Sequence, residues 1–267
     1  MDGKKSTMND ESKQQQVLVL LRNWLCRQSD RNHTLWFEQQ VSLLRTKPNA
    51  QAFNTGFSLI SRRFGKEILN LSAQDLLSAE ACIAGWQPNT WSLVDLARIL
   101  LLVELPYQAL EFAARFSVLL QTADVSEAIS LYRGLPVYPE PEALEPIVGE
   151  GLRTNIRPVF EAIIHNNPYP FGYFETQRWN NMILKALFIE CPIAPVYSLD
   201  QRLNQDLANT LFDFAHERWA AGRQVPIDLW RCVGPFIPNS ELPHLRRLLL
   251  SENLQERQAV ALALSCS

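Results

Sequence analysis

The chain has 267 residues, a formal net charge of −3 and 47 % hydrophobic residues, enough apolar matter for a sizeable core in one large domain or two small ones. That balance lacks the basic excess that marks a nucleic-acid-binding surface. Cys26, Cys82, Cys191, Cys232 and Cys266 stand far apart with no CxxC pair, which argues against a disulfide framework or a structural zinc site and fits reduced thiols in the cytoplasm.

The N-terminal stretch MDGKKSTMNDESKQQQ has no apolar region behind its lysines, so it does not read as a secretory signal. Residues 1–11 are expected to be a disordered tail, since they offer nothing to bury. From residue 12, Val17, Leu20, Leu21, Trp24 and Leu25 recur at helical spacing. Asp30 is placed to cap a second helix, which Pro48 ends, and a third begins near Asn49 and breaks near Gly65. Ser72 with Asp75 has the pattern of an N-cap with an acidic first turn, for a helix that stops near Gly85. Two longer helices follow, over about 90–104 and 106–121, with Pro106 at the first helical position of the second. The most apolar run, Leu93 to Leu105, carries Asp95, Arg98 and Glu104 and falls short of the ~20 apolar residues of a membrane span, so it reads as a core helix. Asp124 caps a short helix ending near Gly134.

Prolines 136, 139, 141 and 146 mark residues 135–148 as a connection between an N-terminal helical layer (12–134) and a C-terminal helical part (149–267), the two read together as one continuous domain, 12–267. Helices are then expected over about 144–165, 176–189, 204–221, 226–234, 240–250 and 253–264. The last two form an amphipathic pair, with Leu242, Leu245, Leu248 and Leu249 on one helix and Leu254, Ala259, Leu262 and Ala263 on the other. Such pairs stack in HEAT-like solenoids. No stretch alternates with a period of two, so the expected fold is all-α, an irregular α/α array of HEAT-like superhelical character without a substantial β-sheet.

The unusual residues concentrate between Thr154 and Phe236. On a helix over 204–221, Arg218 falls within roughly 20° of Leu211, in the middle of the apolar face of Leu207, Leu211, Phe214 and Ala215. A guanidinium directed there needs a partner: either a structural carboxylate or carbonyl, or an anionic ligand in an internal cleft. Arg153, Arg157, Glu161 and His165 are spaced by four, which on one helix makes a stripe. It is either a solvated edge of ion pairs or a cleft wall facing Arg218, and Pro158 would kink or restart that helix. The helix after Thr176 is apolar nearly all round except for Arg178, Asn181 and Lys185, a strip that must meet solvent, a partner or a cavity. Between these lies NNPYPFGYF, whose Tyr169, Phe171 and Tyr173 either cover a core or stack on a ligand.

Catalytic motifs are missing. HERWA at 216–220 lacks the second histidine of HExxH, and there is no GxSxG, P-loop or GxGxxG. Neither metal nor cofactor is expected.

The phrases TNIRPVFEAIIHNNPYP (154–170), YFETQRWNNMILKALF (173–188), LDQRLNQDLA (199–208), HERWAAGR (216–223) and LWRCVGPF (229–236) resemble the EboA family. That family belongs to a bacterial and algal gene cluster for a small metabolite. Its members are described as metabolite traffic or biosynthesis accessory proteins. They occur beside a prenyltransferase-like membrane protein, a TatD-like hydrolase, a dehydroquinate-synthase-like enzyme and a xylose-isomerase-like barrel. The resemblance brings no catalytic residues. It implies a non-enzymatic accessory protein, binding a small polar metabolite (prenylated or not) or another protein of the cluster, with no nucleic acid and no membrane span involved. The candidate ligand-binding residues are Arg157, Glu161, His165, Tyr169, Trp179, Lys185, His216 and Arg218. The alternatives are a metal-independent enzyme, with His216 or His165 oriented by Glu161 or Asp200, and a purely structural scaffold.

Overall fold

A computed structural model describes the backbone of residues 3–47, 49–105 and 109–265, and side chains from 13 to 47, 49 to 105 and 112 to 265. The described residues form fifteen α-helices and no strand, so the fold is all-α. An isolated antiparallel bridge pairs Ile68 with Ser92. The chain divides into two compact units, Met1–Tyr173 and Phe174–Ser267, and the division falls inside the stretch assigned above to the C-terminal part.

The first unit contains α1 (Gly3–Gln28), α2 (Arg31–Thr46), α3 (Ala50–Arg63), α4 (Ala73–Cys82), α5 (Leu93–Val103), α6 (Ala109–Thr122), α7 (Val125–Arg133), α8 (Pro141–Gly151), α9 (Arg157–Ile164) and α10 (Tyr169–Tyr173). Side-chain caps set where many of them start. Asp30 accepts from the His33 N–H to open α2, and Asn49 accepts from the Ala52 N–H to open α3. Full capping boxes open α4 (Ser72 with Asp75), α5 (Ser92 with Asp95) and α7 (Asp124 with Glu127). Each box satisfies two backbone N–H groups that the first helical turn leaves without partners. The expected Pro48 and Pro106 boundaries lie outside the described residues.

At the centre of this unit is α5, in contact with α1, α3 and α7. Every residue from Val94 to Leu102 is buried, Asp95 and Arg98 included. Their charges are tolerable in such a place only because each finds several partners. The Asp95 carboxylate accepts from the Ser92 backbone N–H and hydroxyl, both at 2.8 Å, from the Ser130 hydroxyl at 2.6 Å and from Arg133 at 2.6 Å. Arg98 donates to the hydroxyls of Ser126 (3.0 Å) and Ser130 (3.2 Å), approaches Glu127 at 3.6 Å and lies over the Phe57 ring. At the C-terminal end of α5, the buried Glu104 is held by Arg22, and by Arg45 at 2.5 Å. The sequence reading of this run as a charged core helix therefore holds.

The described backbone of α1 begins at Gly3. Two expectations give way. The proline-rich residues 135–148 are a 3₁₀ turn (Leu135–Val137) followed by the first turns of α8, with Pro141 at its start and Pro146 within it. The helix expected over 144–165 is two helices, because α8 ends at Gly151 and Pro158 sits in the first turn of α9, where its missing N–H costs nothing. Arg153 consequently leaves the stripe and pairs with Glu150 on the surface.

The second unit contains α11 (Thr176–Phe188), α12 (Gln205–Ala220), α13 (Leu229–Val233), α14 (Leu242–Leu248) and α15 (Leu254–Ser265). Asn204 caps α12 by accepting from the Leu207 N–H, and exchanges side-chain amide hydrogen bonds with Asn180 of α11 at 2.9 and 3.1 Å. Trp179, Met182, Ile183, Ala186 and Leu187 of α11 are buried, as are Leu207, Ala208, Leu211, Phe212 and Ala215 of α12. Helices α14 and α15 do pair, but α15 turns Val260 and Ala263 inward and leaves Leu254 and Leu262 exposed. Its inward row follows the i,i+3 spacing of 260 and 263, to which 262 does not belong.

Asp95→Ala removes the anion from a buried network and is expected to destabilise the protein by about 3–5 kcal/mol in urea unfolding, whereas Arg153→Ala, on an exposed pair, should shift stability by less than about 0.5 kcal/mol. Asp75 supplies an acid-side check. Burial raises its pKa, but hydrogen bonds from Arg27, Ser72 and Trp24 outweigh that and bring it down from 3.8 to about 2. A carboxylate with a depressed folded-state pKa stabilises the fold above its unfolded pKa and loses that contribution as pH falls through the folded value. Thermal melts should therefore show a decline between pH 3.8 and about 2 that is smaller in Asp75→Asn.

Candidate functional site

The helix α12 carries polar groups into two separate cavities of the second unit. Its last turn brings in Arg218, whose side chain is only 17 % exposed, as its place on the Leu211 face predicts. The guanidinium Nε donates to the Gln224 carbonyl, Nη2 lies 3.8 Å from Glu190, and the group sits over the Phe214 ring. It lines a cavity of about 340 Å³ whose wall is apolar along Leu187, Pro192, Val225 and Ile227 and carries the carboxylates of Glu190 and Asp228. Asp228 accepts from the Ile193 N–H at 3.4 Å. Glu190 adopts φ 54° just after α11, a left-handed position that usually takes glycine and costs a residue with a side chain about 1–3 kcal/mol. Glu190, Gln224 and Asp228 were absent from the sequence-based site. A glutamate at a helix terminus where glycine belongs is the signal that could have found the first of them.

His216 lies two residues from Arg218, roughly 200° round the helix, and so lines a different cavity, of about 490 Å³, with Trp219, Ala220, His244, Arg247 and Leu248. His216 and Arg218, both named as candidate ligand-binding residues, thus line two separate cavities. The carboxylate on His216 is that of Glu241, with Nε2 at 3.0 and 3.1 Å from its oxygens. Asp200, considered above as the orienting group, instead accepts both hydrogen bonds of the Arg231 fork, at 2.9 and 2.7 Å. These hydrogen bonds raise the Arg231 pKa. Neither Glu241 nor His244 carries a local motif, and only the fold brings them to His216.

The other expected residues of this unit are on α11. Trp179 is fully buried, with the Arg202 guanidinium 4.7 Å from its ring centre. Lys185 is half-buried, and loss of hydration lowers its pKa.

In the first unit, α9 presents Arg157 and Glu161 as an i,i+4 ion pair at 2.8 Å. Glu161 and His165, the residue that caps the C-terminus of α9, line a cavity of about 230 Å³ with Thr90, Trp91, Arg133 and Asn166 among its neighbours. Tyr169 is buried, donates its hydroxyl to the Pro141 carbonyl at 2.7 Å and stacks on Tyr173 at 4.9 Å. Asn167 fixes this turn: its side-chain amide donates to the Tyr132 and Ala162 carbonyls, and its oxygen accepts from the Tyr169 N–H.

Among the described helices none is long and apolar enough to cross a membrane. Thiol chemistry has little support at Cys232, since burial pushes its pKa up to about 12.

A family model described as metabolite traffic protein EboA matches residues 17–234 of the chain. No curated protein and no solved structure matches it.

The thiols give a check on this geometry. Iodoacetamide at pH 8 should modify exposed Cys26 and leave buried Cys232 unmodified in the folded protein, with peptide mass spectrometry locating the label; labelling of Cys232 at the rate of Cys26 would contradict the burial described here.

Proposed function

The chain belongs to the EboA family of metabolite traffic proteins, and on that premise we propose that it is a non-enzymatic accessory protein that binds a small hydroxylated metabolite. The observation that carries this reading is the Arg218 cavity. Small-molecule sites combine apolar walls with a few fixed polar groups, and this one has both. The Gln224 carbonyl holds the guanidinium in one orientation. Its ion contact with Glu190 is long, at 3.8 Å, and Glu190 is 72 % exposed, so a ligand competes with a weak interaction. One guanidinium faces two carboxylates, Glu190 and Asp228. That balance suits a neutral ligand whose hydroxyls both donate to carboxylates and accept from Arg218, better than a multiply charged anion.

The first unit supports the same reading with its own polar cavity, where Glu161 accepts and His165 offers a ring nitrogen. Arg157 orients Glu161 through their ion pair. Tyr169 in the first unit and Trp179 in the second are buried and act by packing within their own units, and Lys185 is a partly desolvated amine on α11. The ligand, prenylated or not, or a partner protein that carries it, belongs to the same biosynthetic cluster. One observation favours a catalytic alternative: the His216–Glu241 pair has the separation of a general base and its orienting carboxylate.

Native mass spectrometry of protein purified from its own host tests the proposal. The expected result is a retained small molecule that is lost in Arg218→Ala while the far-ultraviolet circular dichroism stays unchanged. Arg218→Ala should also abolish production of the metabolite in cells, with a stability loss of about 1 kcal/mol from the missing hydrogen bond. Absence of any retained molecule from the wild type, or full activity of a folded Arg218→Ala, would overturn it. Conversion of the retained molecule by the isolated protein would favour the catalytic alternative.

A further inference from the structure

The second cavity of the α12 unit has a chemistry that the metabolite reading does not use. His216 Nε2 lies 3.0 Å from Glu241 Oε2, and His244 Nδ1 lies 3.5 Å from the same oxygen. The ligand atoms of His216, Glu241 and His244 all fall within 4.8 Å of one another. We propose that these three side chains form a binding site for a divalent transition-metal ion of the zinc class, with an open coordination position facing the cavity lined by Trp219 and Arg247.

Metal–ligand distances of about 2.0–2.2 Å set donor atoms roughly 3.3 Å apart in a tetrahedral site. The two nitrogen-to-oxygen separations, 3.0 and 3.5 Å, bracket that value, and the two imidazole donor atoms lie within 4.8 Å of each other. Two imidazoles and one carboxylate are the donor set of zinc sites that keep a position open for water or substrate. The side chains of His216 and His244 are 40 % and 45 % exposed, so an ion has a route in, while Glu241 is 13 % exposed and forms the inner ligand.

The rings are held by an aromatic column. Trp230, fully buried, stacks on Trp219 at 6.0 Å, and Trp219 stacks on His244 at 5.8 Å. His216 meets Trp219 edge-on at 5.2 Å and His244 at 5.3 Å. Both imidazoles are thereby constrained by one indole anchored in the core, the kind of support that metal ligands need from their surroundings. The short motif HERWA lacks a histidine one turn after His216, because position 220 is alanine. In the fold the second imidazole arrives from α14, and the carboxylate is Glu241, beside the start of α14, rather than Glu217.

The test is a titration of the chelator-treated full-length protein with Zn²⁺ by calorimetry and with Co²⁺ by visible absorption. One ion per chain and the d–d bands of a low-coordinate Co²⁺ site are expected. His244→Ala and Glu241→Gln should each weaken Zn²⁺ binding roughly tenfold or more. His33→Ala, which removes a histidine paired with Asp30 in the first unit, should leave binding unchanged. Since His216 and His244 are half exposed, folding of the variants is checked by circular dichroism, and the wild-type Co²⁺ spectrum stands without them. No saturable Zn²⁺ uptake by the wild type, or uptake by His244→Ala equal to the wild type, would overturn the proposal. Neither outcome touches the Arg218 cavity, whose own test reads a retained organic molecule.

Discussion

The first unit depends on the pairing of charges buried along a single helix. With Asp95, Arg98 and Glu104 removed from water, helices that pack on α5 must bring partners as well as apolar surface. Residues of α7 supply Ser126, Ser130 and Arg133, and α1 and α2 supply Arg22 and Arg45. This ties packing to register. Rotating α7 by one residue would still bury Leu131 or a neighbour but would strip Asp95 of two of its donors. Buried polar networks of this kind are costly when incomplete, so they select one arrangement among several that hydrophobic burial alone would accept.

The same logic places the polar groups of the second unit. Its principal helices, α11 and α12, are linked at their N-terminal halves by the reciprocal Asn180–Asn204 amides, and α12 ends in the Arg218–Gln224 contact. A helix restrained at both ends in this way presents its intervening side chains in fixed directions. Membership of the EboA family of metabolite traffic proteins is the setting in which the proposed reading of these cavities stands.

Much of this was legible in the residues, and the parts that were not share a cause. Caps at Asp30, Ser72 and Asp124 involve atoms three residues apart, so local spacing was enough. The inward direction of Arg218 followed from helical phase relative to Leu211. The break between α8 and α9 was missed because apolar periodicity continued across it, although Pro158 marked the restart. Asp228, Glu241 and His244 could not be assigned, since each reaches its cavity through a chain reversal that no short pattern encodes, whereas Glu190 carries a local sign in its place just past the end of α11. The inward face of α15 was read only in part: Ala263 belongs to it as expected, but apolar weight favoured Leu254 and Leu262, which are exposed, over Val260, which helical phase puts inside.

Because His216 and Arg218 project from one helix in nearly opposite directions, α12 is a common partition between the two cavities. Pinned by Asn204 where it starts and by Arg218 where it finishes, this shared wall keeps the two hollows apart, and a substitution on one of its faces replaces no residue that lines the other.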